Sequence, residues 1–471
     1  MTQIAALVLA AGEGKRMNSR VTKTLHSAAG RPLLYYPVRA ALEAGVEHVR
    51  VVVSEVNQAE ITHALSELFG AERISTIVQA APLGTGDAVR AGIAGLAADQ
   101  LLILCGDTPL VVAEDLRPLF EALESEDVSL SLLSVVPSEP KGYGRILRDA
   151  SQKVHRIREH RDLQDDAERA VREVNAGMYV ARMSPLREAL AELRPVNAQG
   201  EYYLTDIVEW FAQRSEVKAC LGSVDALLGV NDRGQLAEAE AILFERIRKV
   251  HFKNGVTLRG TPLIEEGVTI GPDTEIRNGV ELRGHTWIGS GVRIGVGAII
   301  IDSEIADFAV IKPYTVIAES KVGPHAEVGP FAHIRPESEL DDHCKVGNFV
   351  EIKKTHLRSG AKASHLSYLG DGDVGAESNI GAGTIFCNYD GYQKHRTVIG
   401  RGVFIGSDSQ LVAPVTIGDG AFIATASTVT GDVPAQALVI GRVKPEVKPG
   451  YAPGLHRKLA KAAGKLIKQN F

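Results

Sequence analysis

Two architectures in series are predicted: an α/β domain with a mostly parallel sheet over residues 1–233, and an all-β solenoid over residues 255–471, joined by a helix over 234–254. Three observations predict them. The first part alternates short apolar runs with stretches of helical period, the middle carries one amphipathic stripe, and the last part places a branched aliphatic residue at every sixth position.

In the first part, Ile4 to Leu9, Val49 to Val53, Ile74 to Gln79 and Leu101 to Leu104 read as strands, each followed by a turn and a helical stretch. This βαβα order belongs to a sheet covered by helices on both faces. Ligands of such sheets sit at the carboxyl ends of the strands, so the loops after Leu9, Gln79 and Leu104 are where a site is expected. From Gly234 to Asn254, Leu236, Ala239, Leu243, Ile247 and Val250 form one stripe, which reads most simply as a linker helix.

Beyond the helix the period is six. Ile264, Ile270, Ile276, Leu282, Ile288, Ile294 and Ile300 form one run. Val310, Val316, Val322, Val328, Ile334, Leu340, Val346 and Ile352 form a second, and Ile399, Ile405, Leu411, Ile417, Ile423 and Val429 a third. Period six would walk a stripe around an α-helix, whereas three hexapeptides close one triangular coil of a parallel β-helix, with the aliphatics stacked inside and glycines and small residues at the corners. The interruptions at 300–310 and 352–399 are expected to be insertions or loops. Leu455 to Phe471, with Arg457, Lys458, Lys461, Lys465 and Lys468, reads as a solvated terminal helix or frayed tail rather than a nucleic-acid arm.

Composition excludes several classes of function. The 471 residues exceed one ordinary core, and a net charge of −6 disfavours a nucleic-acid or membrane-surface binder. Cys105, Cys220, Cys344 and Cys387 are scattered without a CxxC pair, as in a reduced, cytoplasmic protein. The apolar run at Ile4 to Ala11 lacks a basic flank and a cleavage site, and no signal peptide or membrane span is expected.

The loop after the first strand, Leu9-Ala10-Ala11-Gly12-Glu13-Gly14-Lys15-Arg16-Met17, is glycine-rich, but Met17 stands where a dinucleotide fingerprint has glycine and the GxxxxGK[ST] pattern is absent. A backbone cradle for phosphate remains, with Arg16 and Lys23 adding positive charge. Asp107 and Asn231 offer hard oxygen ligands for Mg²⁺; the alternative for Asp107 is a helix N-cap near Thr108 and Pro109.

Leu9 to Lys23 resembles the LAAGxGTRM…PK signature of sugar-1-phosphate nucleotidyltransferases, with Lys15 at the usual Thr and Thr22 at the usual Pro. Further matches follow in order: Gln79 with 83–86, Cys105-Gly106-Asp107, 142–145, Glu159, 174–177, 201–206 and 229–231. The solenoid adds His365 to Asp371, Asn379 to Thr384 and Cys387 to Gly391. Together these resemble the family of bifunctional N-acetylglucosamine-1-phosphate uridyltransferases and glucosamine-1-phosphate N-acetyltransferases, over nearly the whole chain.

The resemblance implies a Rossmann-like nucleotidyltransferase domain, a left-handed parallel β-helix, a homotrimer with acetyl-transfer sites at subunit boundaries, and small-molecule substrates with Mg²⁺. Arg16 is then expected on the leaving pyrophosphate and Lys23 on the phosphate under attack. The first loop (Leu9, Ala10, Ala11, Gly12) would hold nucleotide, Gln79, Gly84 and Thr85 would read uracil, and Gly144, Glu159, Asn175 and Asn231 would hold the sugar. Cys105 stands where related enzymes often have a uracil-facing Tyr. Arg335, Lys353, Tyr368 and Asn379 would hold glucosamine-1-phosphate, while Ala382, Asn388, Tyr389, Ser407, Thr425 and Arg442 would line acetyl-CoA. His365 is assigned as general base, since imidazole is mostly neutral at cellular pH. A nucleotidyltransferase with a non-catalytic β-helix for assembly is the rival reading, and a β-helical scaffold with a decayed first domain a third.

Overall fold

The computed structural model describes residues 3–465 apart from Glu13 and Ala71; Lys468 and Phe471 lie outside the described residues. The chain divides into two compact units, Met1–Lys253 with Leu263–Gly267, and Asn254–Pro262 with Val268–Phe471.

In the first unit the strands of the large sheet are β1 (Ile4–Leu9), β2 (His48–Val53), β3 (Ile74–Val78), β4 (Gln100–Cys105), β5 (Val128–Val135), β6 (Arg145–Arg148), β7 (Val154–Arg158), β8 (Val174–Arg182) and β9 (Glu216–Leu221). The sheet runs β9-β5-β8-β4-β1-β2-β3, with β6 and β7 at its side. All neighbours along it are parallel except β8, which is antiparallel to both β4 and β5. The four predicted strands agree with β1 to β4 to within a residue. Chain order reverses at β1, which lies between β4 and β2, so the loops after Leu9 and Cys105 open side by side at the switch point.

Helix α1 (Tyr35–Glu43) follows β1, α2 (Gln58–Phe69) follows β2 and α3 (Thr85–Gly92) follows β3. Cores form on both faces, one around Leu7, Ile103, Leu186 and Phe211, the other around Val8, Val51, Leu104 and Leu119. Helix α4 (Arg233–Lys253) buries Ala239 and Leu243 against Met17, Leu33, Tyr36 and Val230, with Leu236 and Ile247 partly covered. It is part of the first unit's packing as well as a connection. Val250, expected on its stripe, is 55% exposed.

The second unit is a parallel β-helix in which short strands pair with the strands one coil later, as a left-handed hexapeptide coil requires. The inward column confirms most of the period-six registers and corrects the rest. Val310 and Val316 are not inside; Ile311 and Ile317 are, following Ile305. The first interruption is no insertion. One corner is shorter by a residue, so Ile288 stacks on Ile305 and Ile294 on Ile311, seventeen positions on. Because side chains alternate along a strand, that one-residue change moves the inward role to the next residue.

Most of the second interruption is also regular coil, with Leu357, Ala363, Leu369, Val374, Ile380 and Phe386 buried in the column. Here the longest strands, β10 (Lys345–Leu357) and β11 (Lys362–Val374), run in register around the corners. The true insertion lies between Phe386 and Thr397, since Val374 stacks on Ile399, twenty-five positions away. Glycines such as Gly381 and Gly406 sit where a Cβ would strike the next coil's backbone. The left-handed corner positions, by contrast, often carry large residues, among them Tyr314, Phe331 and Phe349. The terminal helix α5 (Tyr451–Ala462) buries no residue. Among the described residues no helix is long and apolar enough to cross a membrane.

Candidate active sites

The first site lies at the switch point. The loop Leu9-Ala10-Ala11-Gly12 leaves β1 held by Ala10 N–H to the Val52 carbonyl at 2.8 Å and by Asn57 Nδ2 to the Ala10 carbonyl at 3.0 Å. Gly14 is left-handed (φ 61°), and a Cβ there would fall 2.6 Å from Lys23 Cβ, so the loop closes onto Lys23 only with glycine. Lys23 opens a short 3₁₀ turn after Thr22, whose φ of −53° is one that proline favours. Thr22 therefore keeps the turn expected of proline, and its hydroxyl donates to Glu60 at 3.0 Å.

Four predicted residues converge there. Lys23 Nζ pairs with Asp107 Oδ2 and donates to Asn231 Oδ1 at 3.3 Å, and Arg16 Nη2 donates to that same oxygen at 2.8 Å. The Val230 N–H to the Asp107 carbonyl (2.8 Å) ties the Asn231 segment to the β4 end. Asp107 caps no helix: the next one begins at Ala113. Asp107 and Asn231 thus aim oxygens at one point where a cation, the Lys23 ammonium, already sits. That donor set fits a hard divalent ion.

The neighbouring residues form two further groups. Gln79 Nε2 donates to the Gly84 carbonyl (3.3 Å) and to Asp87 (2.9 Å), and Thr85 Oγ1 accepts from Leu204 N–H (3.1 Å). Gly144, Glu159 and Asn175 gather beside Tyr179: Asn175 N–H donates to the Gly144 carbonyl, and Asn175 Nδ2 to Tyr179 Oη at 2.7 Å. Burial pushes the Glu159 carboxyl up, opposed by a hydrogen bond from Thr205. Cys105, 3.8 Å from the Gly177 carbonyl, has its thiol pushed up to about 12 by burial and the Asp107 charge. Asn57 and Asp87 escaped the sequence analysis, and Thr205, inside the matched 201–206 segment, had been given no role; Asn57 had a signal, being a turn-forming Asn just past a predicted strand end.

The second site is organised by coil register. Asn348 stands opposite His365, and the pairings Ala363–Ile380, Ile380–Ile405 and Ile405–Ile423 put Ala382, Ser407 and Thr425 on successive rungs above it. Backbone bonds from Asp408 to Ala382 (2.7 Å) and from Ala426 to Ser407 (2.8 Å) fix that column. Arg442 Nη1 donates to the Thr425 carbonyl at 2.8 Å, which attaches it to the top rung. His365 is exposed at the foot.

Across the Leu366 corner a polar cluster forms. Arg335 lies beside Lys353, its guanidinium donating to Glu351 at 2.6 Å, and Tyr368 Oη lies 3.4 Å from Asn388 Nδ2. Asn388 Nδ2 also donates to Asp371. The insertion is a braced hairpin: Tyr389 bridges to Lys394, and Asp390 accepts from Tyr392 N–H, Gln393 N–H and His395. It returns Lys394 to Lys353, and that neighbouring ammonium pulls Lys353 below the ordinary lysine range. Tyr389 itself is 61% exposed. Asn379 stands apart, on the preceding face between Lys362 and Phe404. Neither Asp371 nor Lys394 had been given a role from sequence.

A family model described as the MobA-like NTP transferase domain matches residues 6–178, and one for six bacterial transferase hexapeptide repeats matches 396–431. The chain is 52% identical over 470 residues to the bifunctional protein GlmU of Sorangium cellulosum, covering 98% of this chain and 99% of that one. It is 44% identical over 467 residues to that of Pelobacter propionicus (97% and 100%) and 45% identical over 475 residues to that of Geobacter sulfurreducens (96% and 98%). With a nucleotide-type crevice in one unit and a hexapeptide helix bearing a second polar site in the other, the chain belongs to the family of the bifunctional protein GlmU.

Proposed function

We infer that the chain makes UDP-N-acetylglucosamine in two steps, acetylating glucosamine-1-phosphate in the solenoid (255–471) and transferring a uridylyl group in the first domain (1–233), with 234–254 between them. The observation that carries this reading is the pair of separate polar constellations, one per unit, each assembled from residues distant in sequence.

In the solenoid, Lys353, Lys394 and Arg335 supply charge for the sugar phosphate. His365 takes a proton from the amine as its nitrogen attacks the thioester carbonyl; the C–N bond forms, the C–S bond breaks, and the departing thiolate takes the proton from the imidazolium. The Ala382–Ser407–Thr425 column, with Arg442, Asn388 and Tyr389, supports an acetyl-CoA track leading to His365. Tyr368 and Asn379 orient the sugar.

In the first domain the phosphate oxygen of N-acetylglucosamine-1-phosphate attacks the α-phosphorus of UTP and pyrophosphate leaves. Lys23 faces the phosphate under attack, Arg16 the pyrophosphate, and the Leu9 to Gly12 loop the phosphate backbone. The family implies a divalent metal; Mg²⁺ held by Asp107 and Asn231 would neutralise charge as it builds. Gln79, Gly84, Thr85 and Cys105 line the base, and Gly144, Glu159, Asn175 and Asn231 the sugar.

A cytoplasmic homotrimer is part of this reading. Tyr314, Phe331 and Phe349 stack at 5.3 and 5.6 Å in a half-exposed ladder that continues to Leu366, next to His365. An apolar strip of this kind calls for cover, and other copies of the chain would supply it. They would also bring an Asn379 face toward a His365 corner.

Mass spectrometry of the full-length protein with glucosamine-1-phosphate, acetyl-CoA, UTP and Mg²⁺, omitting one component at a time, tests both steps. UDP-N-acetylglucosamine should require all four, and acetylated sugar phosphate should accumulate without UTP. Uridylylation of supplied N-acetylglucosamine-1-phosphate without acetylation of glucosamine-1-phosphate would make the β-helix an assembly element.

A further inference from the structure

Asn348 is the rung below His365, in direct register with it across β10 and β11. Its Oδ1 is buried, yet accepts no hydrogen bond among the described residues. Leaving a buried acceptor unpaired is unfavourable, so a donor within reach is favoured. The column offers few. Val328 pairs with Val346, which puts Pro330 under Asn348, and Ala363 pairs with Ile380, which puts Ala382 over His365. Neither proline nor alanine has a side-chain donor. On this column the donor next to Asn348 is therefore His365, and the polar side chain next to His365 is Asn348.

In-register residues on parallel strands lie about 4.8 Å apart and project to the same side. The His365 ring is exposed, so a rotamer change brings one ring nitrogen to the amide oxygen. We propose that Asn348 is a positioning residue for acetyl transfer: its Oδ1 accepts the N–H of one His365 ring nitrogen. The bond holds the neutral imidazole in one tautomer and leaves the lone pair of the other nitrogen for the substrate amine. This deepens the acetyl-transfer reading and rests on His365 as base.

The test compares Asn348→Leu, which removes the acceptor at similar volume, with Asn348→Asp, which keeps one. Both are made in the full-length protein and assayed for acetyl transfer and uridylyl transfer, beside His365→Ala. Asn348→Leu should lower the acetyl-transfer kcat about 10–100-fold, the usual effect of losing a histidine's orienting partner. KM for both substrates should stay within about threefold, and uridylyl transfer should be unchanged. Asn348→Asp should recover most of the rate. A wild-type kcat in Asn348→Leu with His365→Ala inactive would overturn the positioning role alone. Full acetylation by His365→Ala would overturn the base assignment and this proposal together. A raised KM with unchanged kcat would make Asn348 a substrate contact and equally overturn it.

Discussion

Gly370→Ala separates the two activities by geometry. Gly370 stands opposite Lys353, and its backbone is not left-handed, so alanine can adopt the local conformation. A Cβ at this position would fall 2.6 Å from Asn388 Nδ2, and closer still to Tyr368 Oη, where ordinary contact starts near 3.4 Å. The amide must therefore retreat by about 0.8 Å and the phenol by more, in a site where a misplacement of about 1 Å costs on the order of 100-fold in rate. The atoms that must yield are side-chain tips rather than backbone. Overpacking costs about 1–3 kcal/mol, and tips that can yield put this case near the lower end, too little to unfold a domain of ordinary stability. The expected outcome is a roughly 100-fold loss of acetyl-transfer kcat, read as release of the free CoA thiol, with uridylyl transfer intact and Tm slightly lowered. Retention of acetyl-transfer kcat within about threefold would refute the assignment of Tyr368 and Asn388 to the reacting centre.

Asp107→Ala should remove uridylyl transfer and leave acetyl transfer intact, since Asp107 pairs with Lys23 and is the proposed metal ligand; a folded variant lacking both activities would contradict separate sites. The Cys105 thiol, pushed up to about 12, stays protonated until the pH approaches that value. Timed alkylation of the native protein at pH 8 should thus modify it about a thousandfold more slowly than an ordinary cysteine of pKa about 8.5, as peptide mapping would show. Thr22→Pro removes an exposed hydrogen bond to Glu60 and restricts the unfolded chain at a φ that proline already favours. The opposing effects, each about 0.5–1 kcal/mol, should leave Tm and uridylyl kcat almost unchanged. A tenfold faster variant would show that Thr22 misplaces Lys23.

The first domain was legible because its strands are short apolar runs and its site residues follow strand ends. The rule that ligands sit at the carboxyl ends of the strands then points to the loops after Leu9, Gln79 and Leu104 without any contact being known. What sequence could not supply was the network in which Lys23 bridges Asp107 and Asn231 and Arg16 joins it at Asn231, because Asn231 is tied to that place by one backbone bond from Val230. The antiparallel β8 was equally hidden, since an apolar run carries no mark of direction.

The solenoid shows why a correct period can still misplace residues. Six per face is an average, and a corner that drops one residue conserves the coil while shifting the sequence phase. The search for one strict period therefore chose Val310 and Val316 over Ile311 and Ile317, although an aliphatic pair occupies each position and alternation lets only one point inward. The same tolerance builds the site. His365, Ala382, Ser407 and Thr425 are 17, 25 and 18 positions apart, a spacing with no pattern in sequence, yet register makes them consecutive rungs. A coil that had to keep eighteen residues could not admit the hairpin between Phe386 and Thr397, and without it Lys394 would not reach Lys353. Variable corner length is thus what lets a repetitive scaffold, whose aliphatic columns carry no chemistry, hold one aperiodic site.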